Sequence, residues 1–338
     1  MEYFQEYGLF LGKALTILAA VVAVLIIVIG AIARPQRKGL HEGDLVFEKV
    51  NDEYEQLKNE LQQTLLPEKD YKLWRKSVAS KRKHQLKESQ LNGQPKRMFY
   101  LQFDGDVQAS NASALAQSID ACLLVAKPGD QFLCSLESPG GLVHGYGFAA
   151  SQLARIRAAG FMLTVTIDKV AASGGYMMAC IADRIIAAPF AIVGSIGVVA
   201  QIPNFNRLLK HNNIDIELHT AGEYKRTLTL FGENTDADRE KFKEELEQTH
   251  QLFKQHVTQF RPSAEIDRAA NGDHWYASQA LDLGLVDALG TTAEQLFKAV
   301  DEFDVYQVAY EQKKPLLERL GISAQLAVTQ FVERLKAL

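Results

Sequence analysis

Between residues 97 and 200, short apolar runs alternate with longer runs whose apolar residues recur at helical spacing. "RMFYLQFDGDV" (97–107), "QFLCSLE" (131–137) and "FMLTVTI" (161–167) read as strands. "ASNASALAQSIDACLLVA" (109–126) reads as a helix capped by Ser110 or Asn111, with Leu115, Ile119, Cys122 and Leu123 on its apolar face. "LVHGYGFAASQLARIRAAG" (142–160) reads as a helix closing on Gly160. This alternation predicts an α/β domain with mostly parallel pairing. Two glycine-rich segments, "ESPGG" (137–141) and "ASGG" (172–175), follow the strands at 131–137 and 161–167. Those are the carboxyl ends of strands, where parallel sheets gather their chemistry.

A different constraint governs the N-terminus. "ALTILAAVVAVLIIVIGAIA" (14–33) carries no charge. As a helix it would reach about 30 Å, the thickness of a bilayer's hydrocarbon core. Its length, and Glu2 and Glu6 ahead of Lys13, favour a retained anchor over a cleaved signal peptide, although Ala31-Ile32-Ala33 resembles a cleavage site. The basic flank "RPQRKG" (34–39) would put the C-terminal bulk in the cytoplasm. Residues 185–202 are also apolar, but Pro189, Gly194, Ser195 and Gly197 interrupt them, so two short buried elements are expected there.

Residues 44–66 read as a helix with Leu45, Tyr54, Leu57, Leu61 and Leu65. Residues 67–97 are rich in Lys and Arg and read as a solvated linker rather than a binding patch. "TDADREKFKEELEQTHQLFKQHVTQFR" (235–261) reads as a helix capped by Thr235 or Asp236, with Phe242, Leu246, Phe253, Val257 and Phe260 in one stripe. The expected divisions are 1–34 with a transmembrane helix at about 10–33, 35–96 charged and helical or linking, 97–300 the main domain, and 301–338 a helical tail. The net charge of −4 argues against nucleic-acid binding by the chain as a whole. Cys122, Cys134 and Cys180 sit in apolar runs without C-x-x-C spacing and read as buried thiols.

Ser173 begins "SGGYMMAC", which reads as a helix start. There the N–H of Gly174 would face a reacting oxygen, and Gly141 would add a second donor from the neighbouring strand end. No histidine lies between Ser173 and His211, and His144 falls in the first turn of a helix, where a structural or solvated role fits. A lysine is the remaining kind of base, provided burial lowers its pKa. Lys225, in "HTAGEYKRTLTLFG" (219–232), is a candidate, although by composition it reads as a surface lysine.

The ordered series "ESPGG", "DKVAASGGY", "GSIGVV", "AGEYK" and "WYASQALDLGLVDALG" resembles the signal peptide peptidase A family of serine peptidases, in its SohB branch. The resemblance covers roughly residues 97–300 by motif and the N-terminal region by layout. It implies a ClpP/crotonase-like fold of repeated ββα units behind an N-terminal transmembrane helix. It also implies a Ser-Lys dyad: Ser173 as nucleophile, Lys225 as general base, Ser195 orienting the lysine, and Gly141 and Gly174 as the oxyanion hole. No cofactor and no metal is implied. The partners implied are peptide substrates, the lipid bilayer and copies of the chain in a homo-oligomeric ring, because one catalytic unit is present rather than a tandem pair. The family's usual periplasmic placement in the bacterial inner membrane opposes the cytoplasmic side that the basic flank suggests, and both remain open. A crotonase-type acyl-CoA enzyme and a non-catalytic membrane scaffold are the alternative functions.

Overall fold

The structure is a computed structural model that describes residues 12–13, 16, 43–92, 96–222 and 225–312. The apolar run at 14–33, apart from Thr16, and the tail beyond residue 312 lie outside these. Among the described residues no helix is long and apolar enough to cross a membrane.

The elements run β1 (Gly43–Lys49), α1 (Val50–Leu65), α2 (Glu68–Asn92), β2 (Arg97–Asp104), α3 (Ala112–Val125), β3 (Gln131–Glu137), α4 (Val143–Ala158), β4 (Met162–Ile167), β5 (Val170–Ala172) and α5 (Gly174–Ala179). They continue with β6 (Arg184–Ala187), β7 (Ile192–Gly194), α6 (Asn206–His211), α7 (Asp236–Phe260), α8 (Ile266–Ala269), β8 (His274–Tyr276), α9 (Ala277–Asp282), β9 (Ala288–Leu289), α10 (Thr292–Glu302) and β10 (Asp304–Gln312).

Seven strands form one sheet in the order β1-β10-β2-β3-β4-β6-β9, and β5-β7-β8 form a smaller one. In the large sheet β10, β2, β3, β4, β6 and β9 pair in parallel, as the alternation predicts. In the small sheet β5 and β7 are parallel, whereas β7 and β8 are antiparallel. Register aligns Phe99 with Phe132 and Phe132 with Leu163, so large apolar side chains stack across the strands. The alternation along β2 sorts its residues between two cores. Phe99, Leu101 and Phe103 join the main core with α3, α4 and α5, while Met98 and Tyr100 pack with Val50, Ala299 and Val305 on the other face. Burial of this kind on both faces explains why these strands read as nearly continuous apolar runs.

Several expectations need correction. Residues 43–49 are a strand, not the start of a helix: they lie at the sheet edge beside β10 and lead straight into Val50 of α1. Residues 68–92 are helix α2 rather than a linker. Its first turn is acidic, Lys72 pairs with Glu68 one turn back, and Tyr71 stacks on Trp74. Of the tail expected to be helical from 301, Asp304–Gln312 form β10, which pairs with β2 and lies, up to Glu311, in the compact unit Leu45–Glu311, while residues 313–338 lie outside the described residues. Neither Ser110 nor Asn111 caps α3 through its side chain: Ser110 bonds the Asp106 carboxylate, and the Asn111 amide donates to the Asp104 carbonyl.

Other expectations hold. The stretch 185–202 supplies the short strands β6 and β7. Thr235 caps α7 in a capping box with Asp238. The three cysteines are buried and free, and burial pushes the Cys122 and Cys134 thiols up to about 12.

Candidate active site

Strand β3 ends at Glu137, and Ser138 continues it by bridging to Ala171 of β5. The Ser138 N–H donates to the Val170 carbonyl at 2.8 Å, and the Ala172 N–H donates to the Ser138 carbonyl at 3.0 Å. These bonds bring the two glycine-rich segments into contact. Ser173 then turns the chain from β5 into α5, and its carbonyl accepts the N–H of Met177. The turn is sharp: Ser173 has φ 51 and ψ −118, backbone that a side chain rarely adopts. Such strain persists only where the surroundings hold it, and it concentrates at functional sites.

Gly140 and Gly141 are glycines for steric reasons. At Gly140, with φ 91, an added Cβ would stand 2.7 Å from the Ser173 Cβ and 2.8 Å from the Gly174 nitrogen. At Gly141 an added Cβ would overlap the Val107 carbonyl. Only bare backbone passes this close to the serine. Among the described residues, neither the Gly141 nor the Gly174 N–H donates to another group, and nothing hydrogen-bonds the Ser173 hydroxyl. The three groups share a small cleft with Met177, Gly197 and Phe253, whose volume is about 10 Å³. A larger groove of about 570 Å³, lined in part by Tyr54, Tyr100, Gln102 and Gln307, contains none of the candidate residues.

Ser195 lies one strand away. The register of β5 with β7 sets Ala172 opposite Gly194, and the Ser173 N–H donates to the Gly194 carbonyl at 2.7 Å. Ser195 also has positive φ, at 50, and its N–H donates to the Asp273 carbonyl at 2.8 Å. Its hydroxyl stands 3.5 Å from the Gly272 carbonyl.

Lys225 is placed differently. It is exposed, its N–H donates to the Gly222 carbonyl at 3.3 Å, and it is not among the residues lining the cleft. The structure thus brings together Ser173, Gly141 and Gly174, with Ser195 beside them, and leaves Lys225 apart. His144 is exposed in the first turn of α4, as the solvated reading expects.

Sequence reading passed over Ser138 and Tyr146, which are buried beneath both glycine segments, and Thr249 and Phe253, which reach the cleft from α7. Phe253 appeared only as part of an apolar stripe. Tyr146 sits in an apolar helix and carries no local mark of proximity to Ser173. Among the described residues no cluster of His, Cys, Asp or Glu could hold a metal ion.

A strained serine between a strand and a helix, with unpaired backbone donors alongside, has the arrangement of a nucleophilic hydrolase. Comparison with known proteins narrows that class. Peptidase family S49 matches residues 155–305, and Peptidase family S49 N-terminal matches residues 2–153. The Probable protease SohB of Haemophilus influenzae is 44% identical, over 97% of this chain and 95% of that protein. The Probable protease SohB of Buchnera aphidicola subsp. Acyrthosiphon pisum is 46% identical, over 96% and 94%. Protease 4 of H. influenzae is 28% identical over 48% of this chain and 27% of its own length. The chain belongs to peptidase family S49, in the company of the SohB proteases, and is a serine peptidase. This membership favours the peptidase reading over both the acyl-CoA enzyme and the scaffold.

Proposed function

We propose that the chain is a membrane-anchored endopeptidase that cleaves membrane-derived or unfolded peptides through an acyl-enzyme on Ser173. The observation that carries this reading is the strained backbone of Ser173 with the free N–H groups of Gly141 and Gly174 in the same cleft. In the reaction the Ser173 Oγ attacks the scissile carbonyl carbon as its proton passes to the Lys225 amine. The two glycine N–H groups hold the oxyanion. Collapse expels the amine, which takes the proton back from Lys225, and Lys225 next activates the water that frees the acyl group. The Ser195 hydroxyl accepts from or donates to the lysine amine and sets its direction. The domain is ClpP/crotonase-like, its β4-β5-α5 segment being one ββα unit.

The dyad closes on assembly into a homo-oligomeric ring. Lys225 belongs to an extended segment whose apolar side chains face solvent in the single chain: Val199, Phe205, Leu208, Ile216 and Phe231 are all exposed. Exposed apolar residues crowded into one segment mark a contact surface, and covering it removes water from the lysine. The uncharged run at 14–33 anchors the chain in the bacterial inner membrane, with the catalytic domain on the periplasmic side.

A fluorophosphonate probe applied to intact and to permeabilised spheroplasts tests both parts. Labelling lost in Ser173→Ala, and protease sensitivity of the domain in intact spheroplasts, are expected. Labelling that survives Ser173→Ala would remove Ser173 as nucleophile, and protection from external protease would place the domain in the cytoplasm.

A further inference from the structure

A line of four polar groups, its two hydroxyls buried, links the two glycine segments. The Gly140 N–H donates to the Ser138 Oγ at 3.0 Å, the Ser138 Oγ lies 2.5 Å from the Tyr146 hydroxyl, and the Tyr146 hydroxyl donates to the Asp106 carbonyl at 2.7 Å. The ends decide its direction, because an N–H only donates and a carbonyl only accepts. Ser138 must therefore donate to Tyr146, and each hydroxyl has one donor and one acceptor partner. Ser138 and Tyr146 are both completely buried. Burial raises the Tyr146 phenol above its ordinary value, against the opposing hydrogen bond from Ser138, so the phenol keeps its proton.

The line reaches both candidate oxyanion donors. The Tyr146 hydroxyl holds the Asp106 carbonyl, and the next residue, Val107, accepts the Leu142 N–H at 2.8 Å. That bond fixes the chain directly after Gly141. On the other side Tyr146 packs against Gly174, where an added Cβ would overlap the Tyr146 Cγ and Cδ2. One side chain thus touches the supports of two N–H groups that come from different loops.

We infer that Tyr146 and Ser138 are positioning residues for peptide hydrolysis: their buried hydrogen-bond line sets the spacing of the Gly141 and Gly174 N–H groups around the oxyanion. The inference rests on the reading that Ser173 attacks and these two glycines hold the oxyanion. Removing the Tyr146 hydroxyl leaves the buried Ser138 hydroxyl without its acceptor, removing the Ser138 hydroxyl leaves the Gly140 N–H without its acceptor, and in either case the loop carrying Gly141 shifts to recover a partner. Donors that stabilise a transition state lose their effect with small displacements, whereas ground-state binding depends on them little.

The test uses the full chain in detergent, with Tyr146→Phe, Ser138→Ala and the double variant. Measured quantities are kcat and KM on a peptide substrate, affinity for a peptide aldehyde, and the melting temperature. The expected result is a fall in kcat of about tenfold to a hundredfold with KM little changed, an equal loss of aldehyde affinity, and a double variant no worse than the poorer single. A lower melting temperature with parental kcat and aldehyde affinity would overturn the inference and leave a purely structural tyrosine. If Tyr146→Phe does not fold, Ser138→Ala decides by the same criteria, since it removes a single oxygen. Failure of the underlying reading is separate: hydrolysis retained by Ser173→Ala would remove the nucleophile itself, whatever the Tyr146 variants do.

Discussion

The Ser173 N–H donates to the carbonyl of Gly194 at 2.7 Å, and through this bond two serines with left-handed backbone, Ser173 and Ser195, sit at the ends of adjacent parallel strands. The pairing of β5 with β7 thus holds the strained corner open and places a second hydroxyl beside the cleft. Neither strand exceeds three residues, so the geometry depends on the packing around it.

That strain separates stability from activity at Ser173. Glycine adopts φ near 51 without penalty, so Ser173→Gly is expected to melt higher than the parent, by the equivalent of about 1 kcal/mol, while losing all peptide hydrolysis. Ser173→Ala keeps the strain and loses only activity. Thermal melts beside an activity assay check the pair. A Ser173→Gly protein that melts lower would mean that the hydroxyl itself holds the fold.

Lys225 is exposed in the single chain, so its removal should not disturb folding. Lys225→Ala is expected to keep the melting temperature and to reduce kcat by about a thousandfold or more at neutral pH. Full activity in that variant would end the dyad proposal.

The glycines beside Ser173 give a steric test. Gly141→Ala forces a Cβ into the Val107 carbonyl, and Gly140→Ala combines a close contact with Ser173 and an unfavourable φ. Both should cut kcat by about a hundredfold, the scale of losing one oxyanion donor. Steady-state kinetics at parental KM would identify the loss as one of transition-state stabilisation. Parental kcat in Gly141→Ala would release Gly141 from the site.

Assembly has its own signature. Phe205 and Phe231 pair at 6.1 Å between ring centroids and are about half exposed. A charge at this pair, as in Phe231→Asp, is expected to shift the protein to monomer in analytical ultracentrifugation and to abolish hydrolysis together. Active monomers would show that the site is complete in one chain.

The domain should also weaken in acid at an identifiable pair. Arg261, almost fully buried, donates to both oxygens of Asp287 at 2.8 and 2.7 Å. Burial would raise the Asp287 carboxyl, but the hydrogen bonds from Arg261 and from the Ile185 N–H outweigh it and hold it below the usual range. A carboxyl depressed on folding stabilises above its unfolded pKa, and that contribution is lost as pH falls through the folded value. Asp287→Asn is expected to cost about 2–3 kcal/mol at pH 7, less than a fully buried pair. The difference should shrink as the parent is acidified below about pH 4. A difference that stays constant into acid would mean that Asp287 acts by packing rather than by charge.

Much was legible in the chain because it depends on local pattern. Strands 97–104, 131–137 and 162–167 are largely buried on both faces and so are mostly apolar, while the helix at 236–260 announces itself by a cap and a stripe. The ordered glycine motifs pointed to Ser173, Gly141 and Gly174 because close backbone approach leaves no alternative to glycine. The edge strand at 43–49 was misread because its residues do not alternate between buried and exposed and run straight into a helix. The strand at 304–312 was missed because its place is decided by pairing with β2, more than 200 residues earlier.

The sequence by itself determined the parallel α/β layout, the family and which serine to test, since periodicity, glycine placement and motif order are properties of neighbouring residues. Tertiary structure alone decided that Ser173 is strained, that Ser195 stands one strand away, and that Tyr146 touches both glycine-rich segments. It also left Lys225 outside the cleft of the single chain. These relations join residues through hydrogen bonds and close packing between distant segments, and such contacts leave no trace in the spacing of either partner along the chain.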